Sequence, residues 1–172
     1  MAQALKGTPF GIVVRPLDNP YLEKAVSGIR TRYGNFLIDK KNGMREILRT
    51  LDRGGLVGIL LDQNVSRREG VFVDFFGRPA CTNKGLALIA RKTGAPVIPA
   101  FTRRSGLSRH DIIVGEEVPL VDTGDRDADI AANTQAYTRI IEDFIRDNPD
   151  CWFWMHRRWN TRPEAAKPAG GA

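Results

Sequence analysis

The sequence predicts an α/β fold with a mixed, largely parallel sheet flanked by helices. Short β-branched runs alternate along the chain with segments of helical periodicity, which is the order typical of α/β domains. The run 56–61 is apolar throughout, which favours a strand covered on both faces of a parallel sheet. With 172 residues, 42% of them hydrophobic, we expect one domain with its own core.

The first half of the chain predicts three strands and two helices. Asn19 supplies an N-cap and Pro20 a first-turn proline for the first helix, which Gly34 ends. Gly54 and Gly55 end the second helix. The predicted strands are 11–15, 36–38 and 56–61, and the predicted helices are 20–32 and 44–53.

The second half predicts further strands and two more helices. Thr82 or Asn83 can cap the first of these helices, which continues to Gly94. Pro99 within a strand indicates an edge or a bulge. A long amphipathic helix follows the polar loop 123–129. The predicted strands are 71–76, 97–101 and 111–118, the predicted turn is 77–79, and the predicted helices are 83–94 and 130–146.

The domain is predicted over residues 1–162, followed by a disordered tail. Residues 163–172 are mostly Ala, Pro and Gly, a composition that cannot bury a core. The longest apolar run, 56–61, is far shorter than the ~20 residues that a spanning helix needs. Any membrane contact of this chain is therefore predicted to be peripheral.

The chain is basic, with a formal net charge of +6. Residues 1–53 hold ten Lys or Arg against five Asp or Glu, so most of the excess lies there. Such a balance favours polyanionic partners, namely nucleic acid, an anionic membrane face, a phosphorylated sugar or an acidic carrier protein. A solvated basic surface is the alternative.

Several common catalytic and binding motifs are absent. The chain contains no G-x-G-x-x-G, no P-loop and no G-x-S-x-G elbow. Cys81 and Cys151 form no C-x-x-C pair, so neither a metal site nor a disulfide framework is predicted. We expect His110 on the surface, and His156 packed or partly exposed among tryptophans and arginines.

Candidate binding residues follow the predicted strands. Functional groups in α/β sheets lie at the carboxyl ends of strands, which points to Arg15 and Asp62. Arg30 and Arg32 close the next helix, and guanidinium groups bind oxyanions in bidentate geometry. Two residues apart, this pair converges only if the helix frays. A favourable interaction with the helix dipole is their alternative role.

Six sequence blocks, taken in order, resemble the lipid A biosynthesis (lauroyl/myristoyl) acyltransferase family, a branch of the lysophospholipid acyltransferase superfamily. Together they cover nearly all of residues 10–162. The blocks are RPLDNP at 15–20, RTRYG at 30–34, GG to LLDQN at 54–64, GVFVDFFG at 70–77, TGAPVIP at 93–99, and NP to HRRW at 148–159.

The resemblance implies a glycerolipid acyltransferase-like fold and transfer of a fatty acyl group from acyl carrier protein to a hydroxyl of a lipid A precursor. It implies no cofactor and places the reaction at the cytoplasmic face of the bacterial inner membrane. It favours Arg15, Arg30 and Arg32 as contacts to the anionic glycolipid. Asp62 and Gln63 fall where the superfamily has its acidic substrate-binding motif, although loop amides can also satisfy Asp62.

The catalytic signature of the family, His-x4-Asp/Glu, is absent. The fifth residue after His110 is Gly115, and the fifth after His156 is Thr161. In the family the signature lies shortly upstream of the first block, so we expect the catalytic pair upstream of Met1. The chain is then expected to be N-terminally truncated, without its early strands, and inactive or nearly so because the general base is missing.

Four alternatives remain open. The chain can be a non-catalytic module that binds anionic glycolipid or acyl carrier protein. A nucleic-acid binder is disfavoured because no helix-turn-helix, zinc or RNP motif is present. The segment 152–159 suits either a membrane interface or core anchors for the last helix. Phe72, Phe75 and Phe76 can line an acyl groove, but core packing is favoured for at least two of them.

Overall fold

The computed structural model of the chain describes residues 9–164 and has the predicted mixed α/β architecture. The described residues form two compact units. Unit 1 comprises residues 9–60 and 89–117, and unit 2 comprises residues 61–88 and 118–164. Residues 165–172 of the predicted tail lie outside the described residues.

Unit 1 is built on a parallel sheet of three strands. The strands are β1 (Phe10–Val14), β2 (Phe36–Asp39) and β3 (Leu56–Gly58), in the order β2-β1-β3. The crossovers are the helices α1 (Pro20–Thr31) and α2 (Met44–Asp52). The order strand, helix, strand thus yields the parallel sheet that the sequence predicts.

The ends of α1 follow the local signals in the sequence. The side-chain oxygen of Asn19 accepts hydrogen bonds from the backbone N–H groups of Tyr21 and Leu22, at 2.9 and 3.2 Å. Gly34 follows the helix with φ of +88°, a conformation that costs glycine little. The predicted cap and stop are both confirmed. No residue of α1 is buried, however, and Ile29 of the predicted apolar face is exposed.

The core of unit 1 is aliphatic. Ile38, Ile47 and Ile89 are buried together, and the half-buried side chains packed on them are Val13, Phe36, Leu51, Val57 and Ile59. The strand predicted over 56–61 is present as β3 but ends at Gly58, and the prediction that it is covered on both faces is wrong, because Leu56 is 43% exposed. Among the described strands β3 pairs with β1 alone, and Leu60 is 75% exposed.

A two-stranded antiparallel hairpin completes unit 1. Its strands are β6 (Ala100–Arg104) and β7 (His110–Val114). The first strand begins three residues later than predicted, after Pro99, whose carbonyl accepts a hydrogen bond from Gly115 N at 2.9 Å. His110 opens β7 opposite Arg104 and is exposed, as expected.

Unit 2 contains an antiparallel hairpin of β4 (Gly70–Phe75) and β5 (Arg78–Asn83). Phe76 and Gly77 form its two-residue turn, with φ of 55° and 72°. The predicted turn 77–79 is therefore wrong, because Arg78 and Pro79 begin β5. The side chain of Gln135 bonds both the N–H and the carbonyl of Asp74, at 2.7 and 3.0 Å, so neither group needs a partner on β5. Pro79, which lies opposite Asp74 and has no N–H to donate, is therefore tolerated.

Two helices of the second half begin close to polar caps. Asn83 accepts a hydrogen bond from Gly85 N at 2.6 Å, just before α3 (Gly85–Thr93), which spans the boundary between the units. Helix α4 (Arg126–Asp147) starts four residues earlier than predicted. The side chain of Asp125 caps it, because it accepts from the backbone N–H groups of Asp127 and Ala128. The first turn of α4 is polar, so the apolar periodicity on which the predicted start at 130 rests does not extend into it.

The core of unit 2 lies between the hairpin and α4. Phe75, Ala80 and Ile145 are buried, with Phe76, Ile141, Trp152 and Trp159 packed on them. Core packing is therefore confirmed for two of the three phenylalanines considered above. Over residues 9–164, no helix has both the length and the apolar character that crossing a membrane requires.

We predict that Ile38→Ala destabilises the protein by about 2–5 kcal/mol, because it leaves a cavity in the aliphatic core. Leu60→Ala removes an apolar side chain of similar size from the surface and is expected to change stability by less than about 0.5 kcal/mol. Urea denaturation of both variants measures the difference. Equal losses would contradict the assignment of Leu60 to the surface.

Candidate functional site

Arg15 follows the carboxyl end of β1 and is exposed. Its guanidinium forms an ion pair with Asp18 at 3.0 Å, and both side chains are largely in solvent. Exposed ion pairs contribute little free energy, so an anionic ligand can replace Asp18 at small cost. The structure thus leaves Arg15 at the position that strand topology predicts.

Glu23 links the segment after Arg15 to helix α1. One carboxylate oxygen accepts a hydrogen bond from Leu17 N at 2.6 Å, and the other accepts from the hydroxyl of Ser27. These two bonds, with the positive charge of Arg30, hold the pKa of Glu23 below its usual value. The sequence analysis missed Glu23, because its role depends on a contact six residues back in a loop.

Arg30 and Arg32 have different surroundings at the end of α1. Arg30 lies in the last helical turn, and its Nη1 is buried without a hydrogen-bond partner among residues 9–164. Arg32 lies just past the helix and is exposed, with its guanidinium 5.8 Å from the ring centre of Tyr33. It keeps helical backbone angles, so no fraying turns it toward Arg30.

Asp62 and Gln63 belong to unit 2, whereas the three arginines belong to unit 1. Asp62 is half-buried and Gln63 is exposed. The next residue, Asn64, is fixed in place, because its N–H donates to His156 Nε2 at 2.8 Å. An Nε2 that accepts a hydrogen bond belongs to a neutral imidazole with its proton on Nδ1. His156 is half-buried, as expected, and is engaged in this contact.

Thr161 adds a second attachment of the C-terminal segment to the same loop. Its hydroxyl donates to the carbonyl of Val65 at 2.8 Å, and its N–H donates to Oδ1 of Asn64 at 3.2 Å. The amide of Asn64 donates back to that hydroxyl at 3.1 Å. The loop that carries Asp62 is therefore held by residues more than 90 positions away in sequence.

Arg158 is the buried cation of unit 2, with 1% of its surface exposed. It donates to the carbonyl of Cys81 at 3.0 Å and to the hydroxyl of Thr82, and it lies 5.0 Å from the ring centre of Phe75. Burial lowers the pKa of Arg158 to about 10, and the negative charge of Asp62 opposes that shift. The guanidinium therefore stays charged at neutral pH. The sequence shows only an Arg-Arg pair, with no signal for which member is buried.

The buried thiol of Cys81 is unsuited to nucleophilic catalysis. Burial raises the pKa of Cys81, although the positive charge of Arg158 acts in the opposite direction. A nucleophilic cysteine requires the thiolate form and access to substrate. Within residues 9–164, no group of three or more His, Cys, Asp or Glu is arranged to hold a metal ion.

A family model described as bacterial lipid A biosynthesis acyltransferase matches residues 1–161 of this chain. The lipid A biosynthesis lauroyltransferase of Escherichia coli K12 is 31% identical over 158 residues, which cover 88% of this chain and 49% of that protein. A lipid A biosynthesis acyltransferase of Haemophilus influenzae Rd is 30% identical over 160 residues, covering 91% and 50%. The resemblance seen in the six blocks is confirmed.

A third relative is the lipid A biosynthesis palmitoleoyltransferase of Escherichia coli K12, which is 27% identical over 157 residues, covering 90% of this chain and 49% of that protein. The chain thus spans about half the length of the curated relatives that it matches. The names of these relatives agree on acyl transfer in lipid A biosynthesis and differ in the acyl group.

We predict that Arg158→Ala destabilises the protein by about 3–4 kcal/mol, since it leaves a cavity and removes the donor to the Thr82 hydroxyl and one of two donors to the Cys81 carbonyl, which keeps the N–H of Val65 at 3.3 Å. The matched control is Arg157→Ala at the neighbouring exposed arginine, expected to cost less than about 0.5 kcal/mol. Urea denaturation compares the two. Similar losses for both variants would contradict the structural role of Arg158.

A second prediction concerns pH. The folded-state pKa of Glu23 is lowered, so its carboxylate adds stability above pH 4.5 that is lost as the pH falls through the lowered pKa. Glu23→Gln should therefore be less stable than the wild type at pH 7 and indistinguishable from it at strongly acidic pH. Denaturant unfolding at the two pH values, with exposed Glu116→Gln as the control, measures this. A pH-independent difference would contradict the prediction.

Proposed function

This chain belongs to the bacterial lipid A biosynthesis acyltransferase family, and we propose that it serves the transfer of a fatty acyl group from an acyl carrier protein thioester to a hydroxyl of a lipid A precursor. The match over residues 1–161 is the observation that carries this proposal. The partners proposed are the acidic carrier protein and the anionic glycolipid acceptor.

The arginines of unit 1 are proposed to bind the anionic groups of the substrates. The buried Nη1 of Arg30 lacks a partner among the described residues, and buried polar groups are normally satisfied, so an oxyanion or a water fits there. Arg15 reaches solvent at the end of β1 and can exchange Asp18 for a phosphate. Arg32 is proposed as an outer contact on the exposed side of the helix end.

Asp62 and Gln63 are proposed to contact hydroxyl groups of the sugar. The support is the anchoring of Asn64, which fixes the backbone directly after these two residues. A carboxylate and an amide held on a fixed loop can accept and donate hydrogen bonds with little loss of conformational entropy. Asp62 also favours the charged state of Arg158, so it combines a structural and a binding role in this proposal.

The reaction requires a base that this chain does not supply in a recognisable form. The acceptor oxygen bonds to the acyl carbon, the carbon–sulfur bond breaks, and the proton of the hydroxyl must be removed before it reaches the departing thiolate. His156 uses Nε2 to accept from Asn64, and His110 lies exposed in β7. Neither is followed at the family's spacing by an acidic residue.

We therefore propose that the His-x4-Asp/Glu pair belongs to a segment upstream of Met1 and that residues 1–172 bind substrate without turnover. The proposed location is the cytoplasmic face of the bacterial inner membrane, with peripheral contact by this chain. The second candidate function is a binding module that takes no part in acyl transfer. It is favoured if no upstream segment supplies the His-x4-Asp/Glu pair.

We predict that this chain binds a phosphorylated lipid A precursor and that Arg30→Gln and Arg15→Gln each weaken binding about tenfold, as expected when one charge-assisted hydrogen bond is lost. Titration calorimetry in detergent measures the affinity. Arg53→Gln, at an exposed arginine of the same unit, is the matched control and should change affinity less than about twofold.

Equal weakening by all three variants would show that only net charge matters and would contradict the assigned contacts. An acyl-transfer assay with acyl carrier protein thioester tests the catalytic part. We expect no product above the blank for this chain, and product after fusion of a family segment that carries His-x4-Asp/Glu. Turnover by the chain alone would overturn the proposal that its base lies elsewhere.

A further inference from the structure

The segment 152–162 divides its large apolar side chains between the core and the surface. Trp152 and Trp159 pack on Phe75, with ring centres 5.4 and 5.7 Å from it. The large apolar residues between them that reach solvent are Phe153, Trp154 and Met155, which are 69%, 55% and 81% exposed. These three side chains are called the exposed tip. The core role that the sequence left open for this segment is thus confirmed for Trp152 and Trp159, and the interface role stays a prediction for the exposed tip.

Contacts beneath the exposed tip hold the indole of Trp154 and the backbone of Phe153. The indole N–H of Trp154 donates to the carbonyl of Pro149 at 2.6 Å, and its ring centre lies 5.4 Å from that of Trp152. The backbone N–H of His156 donates to the carbonyl of Phe153 at 3.1 Å. The imidazole of the same residue accepts the hydrogen bond from Asn64. A pre-ordered apolar tip loses little conformational entropy on binding.

Positive charge accompanies the tip. Residues 152–162 contain Arg157, Arg158 and Arg162 and no acidic residue. Arg157 and Arg162 are exposed, so their charges are available to a partner. Exposed cations beside exposed aromatic rings are the combination that binds at an anionic membrane surface, where tryptophan lies at the level of the headgroups.

The neighbouring charges are mixed. Arg146 of α4 lies 4.7 Å from the ring centre of Phe76 and pairs with Glu142 at 2.5 Å. Asp147 and Asp150 precede the tip and are exposed. These carboxylates limit the electrostatic attraction to anionic lipid, so insertion of the apolar side chains must supply much of the binding.

We propose that the exposed tip inserts into the interfacial layer of an anionic lipid bilayer, with Arg157 placed among the headgroup phosphates. The proposal rests on the peripheral location proposed above and names the surface that makes the contact. A lipid surface is favoured over a protein partner because three side chains are a small patch. Stable protein interfaces use about 20–30 residues on each side.

Flotation of the full chain with vesicles tests this proposal. One set of vesicles mixes phosphatidylglycerol with phosphatidylcholine, and the other contains phosphatidylcholine alone. We expect the chain to float with the anionic set, and the double variant Phe153→Ser with Met155→Ser to lower the partition coefficient at least about tenfold. Leu107→Ser, at a 95% exposed leucine in the β6–β7 loop, is the matched control and should leave it unchanged.

A second readout locates the inserted residue. Lipids brominated near the headgroup should quench the fluorescence of the wild type, and Trp154→Phe should lose most of this quenching, since Trp152 and Trp159 are core residues. The variants change exposed side chains, and circular dichroism verifies that they fold.

Several outcomes would overturn the proposal. They are equal partition of the wild type and the double variant, absence of flotation by the wild type, and a double variant that alters self-association or carrier-protein binding while its flotation is unchanged. The measurements contain no acyl donor or acceptor, so their failure leaves the substrate-binding test of the proposed function unaffected.

Discussion

The structure of unit 2 depends on how the buried guanidinium of Arg158 is accommodated. A charged group removed from water must find hydrogen-bond acceptors, and here they are the carbonyl of Cys81 and the hydroxyl of Thr82. Both acceptors lie on β5, so the C-terminal segment has to close on that strand. With Arg158 placed, His156 and Thr161 on either side reach the loop that follows Asp62.

Unit 1 is organised by different forces. Its core consists of isoleucines and the apolar side chains packed on them, Phe36 among them. The polar contacts lie in the loop after β1 and on α1. Glu23, in the first turn of α1, accepts a hydrogen bond from Leu17 N, and the positive charge of Arg30 helps to lower its pKa. Arg15 and Arg32 are exposed, whereas Arg30 is half-buried with its Nη1 out of solvent.

Local signals predicted much of this fold. The cap at Asn19 and the stop at Gly34 depend on neighbours within a few residues, and the structure confirms both. Strand β5 was missed because Arg78-Pro79 resembles a turn. It is a strand because it pairs with β4 along its whole length, and the backbone of Asp74, opposite Pro79, bonds instead the side chain of Gln135, 61 residues away. Whether the run at 56–61 is covered on both faces likewise depends on the elements that pack against it, which the run itself does not specify.

In the candidate site, too, features that depend on near neighbours could be predicted from the sequence, and features that depend on distant contacts could not. The strand-end rule selected Arg15 and Asp62 from sequence. Arg15 directly follows β1, whereas β3 ends at Gly58 and Asp62 belongs to unit 2. The attachment of His156 to Asn64 joins residues 92 positions apart, and no local pattern encodes it. Glu23 was missed for a related reason, since its partner lies in an irregular loop.

The discontinuous make-up of unit 2 also bears on its synthesis. Arg158 and Thr82 are 76 residues apart, so the β4–β5 hairpin leaves the ribosome well before its cation is made. At about 5–20 residues per second, this interval lasts on the order of several seconds. During that time Phe75 has neither Trp152 nor Trp159 to cover it. The nascent hairpin thus exposes apolar surface until the C-terminal segment is made, and exposed apolar surface of this kind favours aggregation during synthesis.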